Sequence, residues 1–297
     1  MEPNHDTIES PFFDTSRPKV ASSLGTHLNL SAPLRLRVKL SPTATASHCV
    51  IIPSYNSGPL LAPTLRATLA KWQHVFLVVD GSTDGSDLCA ETINNESASL
   101  EILRLTVNQG KGGAVLSALK LAFGRGFTHA LIFDSDGQHD ACDIPKMMAL
   151  SLTYPEAMIL GVPIFGPDAP ALRVGGRRFG NWWTNFATLW GGIQDSLFGF
   201  RIYPIEASIC VLEQIQGGRR FDFETQLAVR LYWQGVPAVS FPSKVTYPEK
   251  NDGGITHFKY LRDNLLLIIT HIKLSLRAAT MLPHLMALRK RNARYRQ

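Results

Sequence analysis

The sequence predicts an α/β fold in which a mainly parallel central sheet carries helices on both faces. Short apolar runs alternate with longer helical patterns between residues 49 and 133, an order typical of parallel strands joined by crossover helices. Several of these runs end directly in loops rich in Gly, Ser and Asp, at the edge where open α/β sheets bind ligands. A chain of 297 residues is long enough for one such domain with appendages, or for two small domains.

The predicted elements follow one another along the chain. Apolar runs of strand length predict strands over 49–53, 75–80, 100–105 and 130–133. The patterns between them predict helices over about 59–71, 86–96 and 110–125. The second half is less regular, with a loop from 173 entering an aromatic helix, a loop meeting a strand at 195–201, a helix from 221 and a strand over 236–242.

Composition divides the chain into three regions. Residues 1–46 are rich in Ser, Thr, Pro and Asn without periodicity, so we expect a mostly disordered extension. The α/β domain is expected over 47–250. Residues 251–297 are expected to form a loop, an amphipathic helix and a basic tail. The tail, 289–296, supplies most of the net charge of +6, through Arg289, Lys290, Arg291, Arg294 and Arg296.

The positive charge and the cysteines restrict the partners and the compartment. The tail is either solvated or attracted to anionic lipid, at roughly 1 kcal/mol per basic residue near the surface. No nucleic-acid partner is expected, because basic residues do not interleave with aromatic ones in the body of the chain. The four cysteines form no CxxC pair, which argues against zinc and redox motifs and favours reduced thiols in the cytosol. The N-terminus lacks a signal-peptide pattern.

The segment 265–282 is strongly apolar but contains His271, Lys273 and Arg277, and Pro283 ends it. Charges near the centre of a membrane span are costly, and Lys273 and Arg277 share one face at i, i+4 spacing. The pattern therefore favours an amphipathic helix lying on a bilayer. A helix packed on the domain and a true span are the alternatives. The expected location is the cytoplasm, peripheral on the inner face of the membrane.

Two aspartates follow the apolar run at 131–133. Asp134 and Asp136 are spaced i, i+2 where a strand ends, so their carboxylates can converge on one ion. Proteins commonly hold Mg²⁺ with one or two carboxylates plus substrate phosphates, and Mn²⁺ accepts the same oxygen ligands. The classical nucleotide motifs are incomplete, since Gly110-Lys-Gly-Gly is not a full P-loop and the loop 81–85 lacks GxGxxG.

Taken in order, these motifs resemble those of glycosyltransferase family 2, above all the dolichyl- or polyprenyl-phosphate mannose and glucose synthase type. The matching stretches, over about residues 49–250, are Pro53-x-Tyr55-Asn56, Val78-Val-Asp80-Gly-Ser82-Thr-Asp84, Asn108-x-Gly110-Lys111-Gly112, Asp134-Ser-Asp136-Gly-Gln138-His139, Gly199-Phe-Arg201 and Phe223-Glu224. The resemblance implies a GT-A (Rossmann-like) fold, a nucleotide-diphosphate sugar donor, a divalent metal and inversion at the anomeric carbon.

The resemblance also implies roles for individual residues. Donor binding would fall to Pro53, Tyr55, Asn56, Asp80, Ser82, Lys111, Asp134 and Ser135. Mg²⁺ or Mn²⁺ would be held by Asp134, Asp136 and Gln138. The catalytic residues would be Asp195, Arg201 and Glu224. The chain departs from the family's usual Asp-Asp-Gly-Ser at Val79, which leaves Asp80 alone to recognise the base or ribose. The alternative for Asp80 is a loop carboxylate that only caps the next helix.

The acceptor decides whether a base is needed. A lipid monophosphate is already largely ionised near pH 7, because its second pKa is about 6; it needs cationic positioning, for which Arg177, Arg178 and Arg201 are candidates. A hydroxyl acceptor needs a general base, for which Asp195 comes first and Glu224 second, although either can instead orient an arginine.

Other residues keep two interpretations. His139 is either a neighbour of the metal or a hydrogen-bonded loop histidine. Three tryptophans are expected either in the core or along an acceptor groove, namely Trp182, Trp183 and Trp190. The segment 247–258 would be a mobile loop over the donor, with Lys250 or His257 reaching phosphate.

We therefore expect a membrane-associated inverting transferase that acts on a nucleotide-diphosphate sugar and a lipid-linked acceptor at an anionic membrane surface. The alternatives are a hydroxyl-acceptor transferase of glycolipid or cell-envelope glycan synthesis, a nucleotidyltransferase, and a catalytically degenerate nucleotide- or glycan-binding module.

Overall fold

The computed structural model describes residues 44–166, 171–215, 222–246 and 260–295. Most of the predicted N-terminal extension, the predicted donor loop with Lys250 and His257, and Arg296 lie outside these residues. The first described element is a short helix, α1 (Ala44–Ser47), so residues 44–46, at the end of the predicted extension, are helical. Ser47 bonds the His48 ring, which ties this helix to the first strand.

The described residues form a central seven-stranded sheet, in the spatial order β3-β2-β1-β4-β6-β5-β7. Its strands are β1 (His48–Ser54), β2 (Val75–Asp80), β3 (Leu100–Leu105), β4 (His129–Ile132), β5 (Met158–Ile164), β6 (Arg201–Pro204) and β7 (Ala238–Lys244). Only β6 runs against its neighbours β4 and β5. The predicted mainly parallel sheet is thus confirmed; β5, which carries a Gly and a Pro, was not predicted.

Helices cover both faces of the sheet, as predicted. They are α2 (Leu61–Leu69), α3 (Leu88–Glu96), α4 (Lys111–Gly124), α5 (Ile144–Thr153), α6 (Ala171–Ala187), α7 (Ile205–Gln214), α8 (Phe223–Trp233), α9 (Tyr260–Thr280) and α10 (Leu282–Arg291). Alternate residues of β1 enter opposite cores, with Ile51 facing α4, α7 and α8, and Ile52 facing α2, α3 and α5. The α6 helix begins at Ala171, where the sequence predicted a loop from 173.

Pro53 separates the two central strands where the candidate site begins. The carbonyl of Ile51 accepts the last bond from the β4 side, donated by Phe133 N–H at 2.9 Å. Residue 53 faces the same neighbour, but proline has no N–H to continue the ladder. The chain after Phe133 is therefore released from β1, and Asp134 and Asp136 follow at once.

The C-terminal helices form a bent pair that is docked on the domain. Helix α9 ends at Thr280, and Pro283 lies in the first turn of α10, where a missing N–H costs nothing. Leu285 and Leu288 are buried, and Arg291 Nη2 donates to the carbonyl of Gly235 at 2.7 Å. The described part of the predicted basic tail is thus packed at several points rather than fully solvated.

No single helix among the described ranges is long and apolar enough to cross a bilayer. The segments Arg262–Thr280 and Leu282–Tyr295 pass that test only when taken together, and they are bent by 89°.

A stacked pair of buried histidines joins β1 to β4 at the edge opposite the candidate site. The rings of His48 and His129 lie 4.6 Å apart and nearly parallel. His48 Nε2 bonds Ser151 Oγ at 2.9 Å, and His129 Nε2 bonds the carbonyl of Pro155 at 2.9 Å. Burial, and after it the neighbouring His129, lowers the pKa of His48 from about 6.5 to about 3. Burial also lowers the pKa of His129.

We expect stability to fall as the pH drops below the unfolded-state pKa of about 6.5. The unfolded chain then binds protons that the folded protein does not bind. For His48 the stabilisation present above pH 6.5 is therefore lost progressively toward pH 3, by up to about 1.4 kcal/mol per pH unit. Urea unfolding between pH 7 and pH 5 measures this slope. His48→Gln should reduce it, because His129 and buried His271 still have lowered pKa values, whereas the control His74→Gln should leave it unchanged; an unchanged slope in His48→Gln would contradict the assignment.

Candidate active site

Four loops meet at the carboxyl edge formed by β1, β2, β3 and β4. Ser57 Oγ, after β1, lies 2.7 Å from Ser135 Oγ, after β4. Asn56 N–H donates to Ser82 Oγ at 3.1 Å, and the Asn56 side-chain oxygen accepts from Thr83 N–H at 2.7 Å. Three of the predicted donor-binding residues, Asn56, Ser82 and Ser135, therefore line this edge and fix the loops to one another.

Other predicted donor residues differ in their exposure. Pro53 is buried within β1, whereas Tyr55, two residues further on, is exposed at the edge. Asp80, at the end of β2, is buried, and its Oδ1 accepts from Gln109 N–H at 2.7 Å. Burial raises the pKa of Asp80, while the N–H groups of Gln109 and Gly110 act in the opposite direction. Asp80 thus holds the loop before α4, a role that the sequence did not indicate.

Lys111 connects two predicted parts of the site. Its Nζ lies 2.5 Å from Asp134 Oδ1 and 2.6 Å from Glu224 Oε1. Burial alone would lower the pKa of Lys111, but the two carboxylates outweigh it and raise the pKa above the usual value. The ammonium therefore stays charged and holds the start of α8 against the end of β4.

Asp134 and Asp136 form the acidic centre of the site. Burial would raise the pKa of Asp134, but Lys111 and His139 lower it, so this carboxylate is ionised. Burial, and after it the charge of Asp134, raises the pKa of Asp136. Asp136 Oδ1 also accepts from Gln138 N–H at 3.1 Å. The backbone carbonyl of Gln138 accepts from Thr246 N–H.

This donor set fits a divalent cation whose remaining ligands come from substrate. Within the described ranges no group of three or more His, Cys, Asp or Glu side chains is placed to hold a metal ion. Two adjacent carboxylates, one ionised beside a lysine, match instead the way Mg²⁺ is bound by one or two carboxylates together with substrate phosphates. Asp134 and Asp136 could hold such an ion.

His139 is buried, and its two ring nitrogens have no hydrogen-bond partner among the described residues. Its Nε2 lies 3.5 Å from Asp134 Oδ2. Its ring is buried among Phe133, Phe198 and Phe200, with centroid distances of 5.5, 4.7 and 5.4 Å. The His139 ring therefore packs in an aromatic cluster next to Asp134. This position is compatible with the interpretation of His139 as a neighbour of the metal.

Gly199 leaves the space that the Asp134 carboxylate occupies. A Cβ atom at residue 199 would stand 2.2 Å from Asp134 Oδ2. The sequence contains Gly199 within a family motif, but its contact with Asp134 spans 65 residues and has no local signal.

We expect Gly199→Ala to displace Asp134 and to lower the rate of sugar transfer by about 10²-fold, because a misplacement of about 1 Å can cost that much. The melting temperature should also fall, because the side chain that must move is the carboxylate held by Lys111. Gly124→Ala is the matched control, because nothing lies within 4 Å of a Cβ there. Equal rates for the two variants would contradict this placement.

Asp195 is saturated with hydrogen bonds. Its Oδ1 accepts from Arg177 Nη1 at 2.8 Å and from the N–H groups of Leu197 and Phe198, and its Oδ2 accepts from Asn181 Nδ2 at 3.1 Å. Burial would raise the pKa of Asp195, but Arg177 and then Arg201 lower it. Such a carboxylate is a poor proton acceptor and a good orienting group. This favours the interpretation of Asp195 as a residue that orients an arginine over its interpretation as a general base.

Arg201 is fully buried and is enclosed by carbonyl groups. Its guanidinium donates to the carbonyl oxygens of Phe198, Asp195 and Glu224, and to Tyr203 Oη. It thereby fixes the loop 195–200 to the start of α8. Arg201 therefore has a structural role inside the protein. Arg177 is partly exposed beside Asp195 and is accessible from the site.

Helix α6 has two distinct faces. Arg177 and Asn181 point to Asp195, whereas Phe179, Trp182 and Phe186 are exposed on the opposite side, with Trp182 53% exposed. Arg178 is exposed, as is Trp190 beyond the helix, and Trp183 is partly buried against His271 of α9. The core interpretation therefore fails for Trp182 and Trp190. Asn181 was missed, although its i, i+4 spacing from Arg177 could have indicated a shared face.

Comparison with known proteins agrees with this architecture. The profile of glycosyl transferase family 2 matches residues 49–210, more than half of the chain. An uncharacterized protein of Methanocaldococcus jannaschii, MJ1222, is 26% identical over 71% of this chain and 88% of its own length. The undecaprenyl-phosphate mannosyltransferase of Micrococcus luteus is 26% identical over 68% of this chain and 84% of its own length.

A solved structure resembles the fold. It is a mannosyltransferase from Pyrobaculum calidifontis in complex with GDP-Man and Mn²⁺, with a TM-score of 0.50 and 19% identity, and the match covers 84% of this chain and 76% of that one. The sheet order, the motifs at its carboxyl edge and the profile match agree, and the chain belongs to glycosyltransferase family 2.

Proposed function

We propose that the protein transfers a sugar, with inversion, from a nucleotide-diphosphate donor to a lipid-linked phosphate of the polyprenyl type. The state of the two candidate bases carries this proposal. Asp195 accepts four hydrogen bonds, and Glu224 is paired with Lys111. A hydroxyl acceptor would need one of them to take a proton, whereas an ionised phosphate needs only to be held.

The donor would lie across the carboxyl edge of the sheet, where Tyr55, Asn56 and Ser82 meet. Asp134 and Asp136, with Gln138 beside them, would hold Mg²⁺ or Mn²⁺ against the diphosphate, and such an ion stabilises the charge of the leaving nucleotide as a Lewis acid. Lys111 would keep Asp134 ionised and fixed in position. The complex with GDP-Man and Mn²⁺ of the Pyrobaculum enzyme supports this choice of partners.

The acceptor phosphate would be held by Arg177, because a guanidinium suits phosphate oxygens. Asp195 and Asn181 orient that arginine and the turn that follows. Arg178, exposed one residue further on, would guide the phosphate toward the site. The name of the Micrococcus relative, an undecaprenyl-phosphate mannosyltransferase, supports a polyprenyl phosphate as acceptor.

The membrane surface would be met by the exposed apolar faces of α6 and α9. On α9 the residues of one side remain exposed although they are apolar, namely Leu265, Ile268, Ile269, Ile272 and Leu276. Exposed Lys273 and Arg277 lie beside this stripe, in the arrangement of an interfacial helix on anionic lipid. The protein would thus bind peripherally to the inner face of the membrane.

The deciding experiment offers one donor with two acceptors of equal chain length, a polyprenyl monophosphate and the corresponding polyprenol. Donors are first screened as UDP- and GDP-sugars, with Mg²⁺ or Mn²⁺ and with chelator. We expect metal-dependent transfer to the phosphate alone, with a rate that rises through the second pKa of the acceptor, about 6. Transfer to the polyprenol, or nucleotidyl transfer, would overturn the proposal, and donor binding without turnover would identify a binding module.

A further inference from the structure

Helix α8 contacts α9 near its start and α10 at its end, which indicates that α8 and α9 run in the same direction. Near the start of α8, Thr270 Oγ1 donates to Asp222 Oδ2 at 3.3 Å. At its end, the His284 ring at the start of α10 bonds the carbonyl of Trp233 at 2.8 Å. Arg277 lies seven residues after Thr270, and Arg230 lies eight after Asp222, so both fall between these contacts, about two helical turns from the first.

Arg230 lacks, among the described residues, the partners that a buried arginine normally has. Arg230 is partly buried, and its Nε is inaccessible and without a hydrogen-bond partner. In the part of the chain that the structure describes, no carboxylate forms an ion pair with Arg230 or Arg277. Asp222, just before α8, already accepts from Thr270 and Gln226.

The positive charges of Arg230 and Arg277 repel each other, and a bound anion would offset this repulsion. Burial, and after it the positive charge of Arg277, lowers the pKa of the Arg230 guanidinium. Lys273, one turn before Arg277, is exposed and adds a third positive charge. A buried N–H without a partner is costly, and paired guanidinium groups are suited to phosphate oxygens, which accept forked hydrogen bonds.

We propose that Arg230 and Arg277, with Lys273, form a binding site for a phosphate oxyanion, supplied by an anionic lipid headgroup or by free phosphate. The site is separate from the acidic centre, because it lies between α8 and α9 rather than at the sheet edge. Its position beside the exposed stripe of α9 suits a headgroup at the bilayer surface. The assignment of the phosphate to a lipid headgroup rests on the membrane docking proposed above. The assignment of a phosphate site to these residues does not depend on that docking.

The test uses full-length protein and vesicles of phosphatidylcholine, with and without phosphatidic acid. Arg230→Lys keeps the positive charge but removes the paired N–H donors of the guanidinium. If vesicles are attracted by net charge alone, this variant should therefore bind like the wild type. We expect Arg230→Lys, Arg230→Gln and Arg277→Gln each to weaken binding to the anionic vesicles about five- to tenfold, with binding to neutral vesicles unchanged. Arg66→Gln on α2, exposed and on the other side of the sheet, is the control and should bind like the wild type.

A second arm uses inorganic phosphate and the melting temperature. Phosphate should raise the melting temperature of the wild type more than that of Arg230→Gln, in which only the acceptor-phosphate site proposed at Arg177 remains. Without phosphate, Arg230→Gln should melt no lower than the wild type, because a repulsive pair has been relieved; a drop would assign a structural role to Arg230 and overturn the site. If no vesicle is bound but the phosphate shift depends on Arg230, the ligand is free phosphate and the membrane docking fails. Arg230 variants that match the wild type in both arms overturn the site itself.

Discussion

Asp136→Asn is expected to lower the rate of sugar transfer by about 10²–10³-fold while leaving the fold intact. The substitution keeps the shape of the side chain and the acceptor for Gln138 N–H, but it removes one of the two charges proposed to hold the metal. Loss of such an ion removes several kcal/mol of transition-state stabilisation, and each 1.36 kcal/mol is a factor of ten in rate. Initial rates at saturating donor, over a series of Mn²⁺ concentrations, measure the effect.

The control is Asp140→Asn, four residues further on. Asp140 is exposed and caps a short helical turn by accepting from Cys142 N–H at 2.8 Å, a role that asparagine performs equally well. This variant should transfer sugar at the wild-type rate. A rate for Asp136→Asn within a few-fold of that control, at every metal concentration, would remove Asp136 from the proposed metal site.

Lys111→Met is expected to lower the free energy of unfolding by about 3 kcal/mol, because it leaves Asp134 and Glu224 close together without their shared cation. Breaking a buried ion pair by removing one partner typically costs about 3–5 kcal/mol, and the lysine side chain here is 21% exposed, which favours the lower end. Denaturant unfolding of wild type and variant measures the difference.

A second lysine on the same helix offers a matched comparison. Lys120 of α4 also pairs with a glutamate, Glu213 of α7, at 2.6 Å, but both side chains are half exposed. Lys120→Met should cost less than about 1 kcal/mol, as is usual for surface pairs. Adding Glu224→Gln to Lys111→Met should restore part of the lost stability. If the two lysine variants lose the same free energy of unfolding, burial does not increase the contribution of the Lys111 cluster to stability.

Local patterns were sufficient for the first four strands of the sheet and the loops at their carboxyl ends. Apolar runs bounded by glycine and aspartate indicated β1 to β4, and the spacing of Asp134 and Asp136 indicated where β4 ends. These features depend on neighbouring residues, so a sequence reports them directly. Helix α5, β5 and α7 were not predicted, because β5 carries a Gly and a Pro and the two helices have weaker boundary signals.

The state of the charged residues could not be read in the same way. Arg201 and Asp195 were predicted to be catalytic, and the structure gives both a full set of hydrogen bonds inside the protein. Whether a charge faces solvent depends on contacts between distant segments, such as Arg201 with the carbonyl of Glu224, 23 residues away. The same holds for the apolar side of α9, whose exposure follows from which face packs on α6 and α8.

The two faces of α6 bear on how turnover should be measured. An α-helix is about 10 Å across, and α6 presents Trp182 outward and Arg177 inward, so a small roll of the rigid helix moves both side chains at once. If lipid takes up Trp182, the phase that surrounds the protein sets the angle of Arg177 toward Asp195. Michaelis constants obtained in detergent micelles and on vesicles would then belong to two different orientations of α6. The relevant acceptor concentration would be the number of acceptor molecules per unit of membrane surface.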